Sequence, residues 1–88
     1  MSADEYMKAL CALVTPAIAR RLAIDSLPDA KPGQVPIEAR VYVAKGHPCV
    51  GYETSDGEGE TRVSVDEIEA ALTAAGIALP SKPDSVGS

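Results

Sequence analysis

Apolar side chains recur at Met7, Leu10, Val14 and Ile18, near helical period, and Leu13 and Ile24 widen the stripe. Ser2 with Glu5 three residues on has the spacing of a capping box, so a helix opens here. Pro16 sits inside the pattern, where it removes an N–H and crowds the previous turn. Either the helix kinks there or Thr15 caps a second one, with Pro16 at its first position, running to about Asp25. Arg20 and Arg21 fit poorly on the earlier polar face and favour a kink or break. Ser26 to Pro36 holds three prolines and a glycine and reads as a surface connector.

Beyond Pro36 the period changes from helical to alternating. Ile37, Ala39, Val41 and Val43 face one way and Glu38, Arg40 and Tyr42 the other, the pattern of a half-buried strand. Gly46-His47-Pro48 is read as the turn, and residues 49–54 as a second strand with Val50 and Tyr52 on one face and a candidate bulge at Gly51. Asp56-Gly57 is a strong hairpin signal, after which Thr61 to Val65 form a third strand with Val63 and Val65 inward. Ser64 and Glu67 repeat the capping-box spacing, Ile68, Ala71, Leu72 and Ala75 form a buried stripe, and Gly76 ends the helix. Ile77 and Leu79 are expected to pack back on the sheet.

The predicted fold is a small single α+β domain over residues 1–79. It has an N-terminal helix kinked or split at Pro16, a three-stranded antiparallel meander, a C-terminal helix and a disordered, flexible tail over 80–88.

Composition makes the core of this domain thin. The chain has 88 residues, no Phe or Trp, three tyrosines and fourteen alanines. Ala contributes little on burial, and domains this small usually need a disulfide, a metal or a partner subunit. The first helical segment carries apolar or Ala side chains around most of its circumference, which one small sheet cannot cover. Met7, Leu10, Val14 and Ile18 are expected in the core, and Tyr6, Leu13 and Ile24 at an interface between copies in a homodimer. Cys11 and Cys49 are read as free thiols. The flank Ser-Ala-Asp-Glu-Tyr is acidic where a secretory signal is basic, and no stretch reaches bilayer length, so a cytoplasmic location without membrane contact is expected.

Charge is distributed unevenly. The net charge is −5, yet residues 1–52 carry five acids and six bases. Residues 53–69 carry seven acids (Glu53, Asp56, Glu58, Glu60, Asp66, Glu67 and Glu69) against Arg62 alone. Such a field repels nucleic acid and attracts basic surfaces. The element order is similar to that of double-stranded-RNA-binding domains. Those domains begin the last helix with a basic cluster, whereas this chain has Ser-Val-Asp-Glu-Ile-Glu there, and direct nucleic-acid binding is disfavoured.

Two constellations offer candidate chemistry. A twelve-residue calcium frame from Asp56 places acids at Asp56, Glu58, Glu60 and Glu67, but Thr61 stands where such loops need Gly. His47 and Cys49 offer an imidazole and a thiol two residues apart, too few groups for a closed zinc site. Gly-rich phosphate loops, nucleophile elbows and paired-His zinc motifs are absent from the sequence. The reading is a non-enzymatic protein-binding module without cofactor or metal. It docks through the seven acids of residues 53–69 on a basic, nucleic-acid-binding surface of another protein. Small acidic inhibitors of nucleic-acid enzymes, phage-encoded ones among them, are similar in size and sign. The alternative is a homo-oligomeric structural or accessory subunit that associates through the apolar N-terminal helix.

Overall fold

Ser2 and Glu5 close a reciprocal box, each side chain bonding the other residue's backbone N–H, and this starts helix α1, Ala3–Leu13, in a computed structural model that describes residues 2–81. Val14 and Thr15 are extended, and the Thr15 hydroxyl accepts from Ile18 N–H to start α2, Pro16–Asp25. The alternatives at Pro16 therefore resolve to two helices. Proline lacks the N–H that would continue the first ladder, and it holds the preceding residue out of the helical region. After α2 the connector makes a 3₁₀ turn at Pro32–Gln34. It is tied down at three points: Asp56 N–H donates to Gly33 O, Arg20 Nε to Pro36 O, and Ile37 N–H to Glu53 O.

The sheet has strands β1, Glu38–Ala44, β2, His47–Thr54, and β3, Gly57–Arg62, in the order β1-β2-β3 with both pairs antiparallel. Three local expectations are corrected. The first turn is Lys45-Gly46, with φ of 51° and 80°, and His47 and Pro48 belong to β2. Two left-handed residues twist the chain as a two-residue hairpin requires, which leaves Gly46-His47-Pro48 no turning to do. The second turn is Ser55-Asp56, one residue earlier than the Asp-Gly signal, and Gly57 opens β3 at φ 139°. β3 ends at Arg62, and Val65 is the first residue of the last helix, because the Ser64 cap takes the chain out of the sheet.

That helix, α3, spans Val65–Ala74. Gly76 at φ 77° ends it, with Gly76 N–H on Thr73 O and Ile77 N–H on Leu72 O, so Ile77 is brought back against the core. Leu79 remains exposed. The tail expected over 80–88 lies, from residue 82 on, outside the described residues.

All three helices share one core with the sheet: Tyr6 and Leu10 from α1, Leu22 and Ala23 from α2, Ile68 and Leu72 from α3, and Val50 with Val63. Ala39, Val41 and Tyr52 border it, so the helices cover the sheet face that these residues share with Val50. Two core expectations shift. Met7 is only half-buried, and Ala75 is exposed at the end of α3. Tyr6 takes the place of Met7, because Tyr6, Leu10, Leu13 and Val14 follow the stripe that faces inward. The Tyr6 hydroxyl donates to the Glu69 carboxylate, joining α1 to α3. Burial first, then the bond and charge of Glu69, pushes the Tyr6 pKa up to about 12.

A candidate acidic docking face

Strand pairing fixes what the other side of the sheet presents. Residues opposite one another on paired strands share a face. Since Val41 and Val50 face the helices, the rows on the other side are Glu38-Glu53-Glu58, then Arg40-Gly51-Glu60, then Tyr42-Cys49-Arg62; this side is open at the first row, and Cys49 in the third is buried. The first row sets three carboxylates side by side across three strands. Like charges directly opposite destabilise a sheet. Glu38, Glu53, Glu58 and Glu60 are exposed, and their side chains make no hydrogen bond or ion pair among the described residues. The ion pairs there are Lys8–Asp4 and Arg21–Asp25, each within one helix.

The central position of the middle row is Gly51. Its missing side chain lets the Tyr42 ring lie across β2: a Cβ at Gly51 would stand 3.1 Å from Tyr42 Cε1. Arg40 turns toward the same ring, with Cζ 5.9 Å from its centroid. An open groove of about 890 Å³ runs from this face, where Glu38, Arg40, Tyr42, Gly51, Glu53 and Glu60 border it, past the β1 edge to Pro16, Ala17 and Arg20 of α2. Gly51 sits in continuous register between Arg40 and Glu60, so the expected bulge is absent from it.

The seven acids expected on one surface are divided by the topology. Glu53, Glu58 and Glu60 lie on the open face. Asp56 caps the hairpin end beside it, with its carboxylate over Gly33. Asp66, Glu67 and Glu69 belong to α3. β3 runs away from the hairpin turn, so the start of α3 lies at the other end of the sheet, about 20 Å off for a six-residue strand. Glu67 closes the Ser64 cap and Glu69 holds Tyr6. Glu38, placed by the sequence merely on the solvent side of a strand, completes the acidic row. The alternation at residues 37–43 already put it on that side; only the register showed what stands beside it.

The remaining candidates are placed as follows. The same divide separates Glu67 from Asp56, Glu58 and Glu60, so the four acids of the calcium frame do not converge. His47 Nδ1 and Cys49 Sγ are 3.4 Å apart on β2, with Cys49 buried. Cys11 is half-buried, and burial, followed by the charge of nearby Cys49, pushes its thiol up. A nucleophile needs an approach path and an orienting third group, and the structure gives this pair a covered thiol. Of the interface residues expected between copies, Tyr6 is corrected: it is 5% exposed and inside the chain's own core. Leu13 packs at the core margin, and Ile24 is half-buried.

No family model, curated protein or solved structure matches the chain. No helix among the described residues is long and apolar enough to cross a membrane.

Proposed function

We propose that this chain is a protein-binding module, without chemistry of its own, that docks the open face of its sheet on a basic surface of a partner protein. The observation that carries the reading is the Glu38-Glu53-Glu58 row, flanked by Glu60. The three carboxylates repel one another, and none of them is ion-paired among the described residues. A cationic partner converts that repulsion into attraction, steers association and makes it salt-sensitive. The partner class that fits is a protein whose basic groove ordinarily holds nucleic acid, and occupying that groove makes the module an inhibitor or regulator.

Salt-graded affinity capture from a cognate lysate, with identification of what is retained, tests this. Basic nucleic-acid-binding proteins should be captured at low salt and released by added nucleic acid. Replacing Glu38, Glu53 and Glu58 with Gln should abolish that capture, and replacing Asp66 with Asn and Glu67 with Gln should not. Capture that survives the first replacement, or depends on the second, refutes the assignment of the face.

A further inference from the structure

Beyond net charge, the open face has a feature that distinguishes one cation from another. Tyr42 is half-buried, and Gly51 lets its ring lie across the middle of the face instead of standing at its edge. Carboxylates border this aromatic shelf. Glu60 lies across Gly51 from Arg40, and Glu53 is the next residue on that face of β2. The chain's own Arg40 has its guanidinium carbon 5.9 Å from the ring centroid and makes no ion pair among the described residues. The chain's own guanidinium thus lies over the ring, at the outer limit of cation–π reach.

We infer that the face is built to take arginine from its partner: a guanidinium stacks on Tyr42 in place of Arg40 and is bound by Glu53 and Glu60. This rests on the docking role proposed for the face and adds the side chain that it selects. The reason is geometric. A guanidinium is planar and weakly hydrated, so it can lie on a ring while its edge donates two parallel bonds to a carboxylate. A lysine ammonium is a compact, strongly hydrated charge that gains from the acids but less from the ring.

The probes are labelled octa-arginine and octa-lysine peptides of equal charge, titrated at low salt and followed by fluorescence anisotropy. The intact chain should bind the arginine peptide about twofold to fivefold more tightly, the worth of one exposed cation–π contact. Tyr42→Leu should remove the preference and leave lysine-peptide affinity unchanged. Equal affinities for the two peptides, or a preference that persists in Tyr42→Leu, overturn the inference. Should Tyr42→Leu fail to fold by circular dichroism, Arg40→Gln supplies the second arm. Vacating the shelf should raise the arginine-to-lysine affinity ratio, and an unchanged ratio overturns the inference. A separate arm tests the underlying role. Glu38, Glu53 and Glu58 changed together to Gln should weaken both peptides. If both affinities are unmoved, the docking role itself fails, whereas lost affinity without an arginine preference removes only the selectivity.

Discussion

Glu53 is the middle member of the acidic row, with Glu38 opposite on one side and Glu58 on the other. Replacing it with Gln keeps the size of the side chain and the backbone bond from Ile37 N–H to Glu53 O, and removes one charge. Directly opposite residues have Cβ atoms about 5 Å apart, so neighbouring carboxylates at about 5.5 Å repel by about 0.75 kcal/mol in water. Glu53 has two such neighbours. A Debye length of about 8 Å at physiological ionic strength roughly halves each interaction, leaving about 0.7 kcal/mol for the pair of them. At about 0.01 M salt the figure rises to about 1.2 kcal/mol, and at about 1 M it falls to about 0.2 kcal/mol. Arg40 and Glu60 are diagonal neighbours of opposite sign and largely offset one another. Glu53→Gln should therefore be more stable than the parent chain, by an amount that shrinks as salt is added. Glu38→Gln, with one acidic neighbour, should gain about half as much. Urea unfolding followed by far-UV circular dichroism at the three ionic strengths reads the effect as a shift in midpoint at constant slope. A variant less stable than the parent at low salt, or a gain indifferent to salt, would refute the row as a seat of repulsion.

Three further outcomes follow from the packing. Tyr6→Phe removes the bond to Glu69 and should cost about 1–2 kcal/mol at neutral pH. Because the folded chain holds the Tyr6 proton to a pKa of about 12 against 10.0 for the free group, this contribution is intact below pH 10 and fades as pH rises from there through about 12. Alkaline unfolding curves of parent and variant should converge over that window, and parallel curves would contradict the assignment. Gly59→Ala places a Cβ 2.5 Å from Tyr52 Cζ on the helix side of the sheet, and overpacking of this kind costs about 1–3 kcal/mol. An undiminished urea midpoint would show that Tyr52 swings away freely. Leu10→Ala, at a fully buried site, should lose about 2–5 kcal/mol, while Met7→Ala, outside the core cluster, loses under about 1 kcal/mol. The reverse order in thermal melts would restore Met7 to the inward stripe.

How far the sequence reached can be judged from particular residues. The caps at Ser2 and Ser64 formed as spaced, because a capping box is closed by residues three apart and needs nothing distant. Thr15 and Pro16 likewise carried a helix start, and Gly76 a helix stop, in their own chemistry. Strand alternation put Glu38, Arg40 and Tyr42 on the solvent side before any pairing was known. Turn placement was less legible. Asp-Gly and Gly-His-Pro are each compatible with turning, and the choice went to the residues that let the flanking strands pair in register, with Lys45 and Gly46 taking positive φ. The N-terminal helix showed an apolar circumference but not its direction, which lies in the packing of Tyr6 and Leu10 in the shared core and in the hydroxyl bond from Tyr6 to Glu69, sixty-three residues away.

The acidic window shows the division most clearly. By itself the sequence determined that seven carboxylates fall within seventeen residues, and that the chain contains a meander and capped helices, since caps, alternation and charge density are properties of neighbours in the chain. Only the tertiary structure decided which of those charges act together. An antiparallel strand carries the chain away from its hairpin, so Asp66 and Glu67 leave for the far end, while the register brings in Glu38 from fifteen residues before Glu53. Electrostatic fields depend on separation in space, and separation in space is set by strand pairing across the sheet.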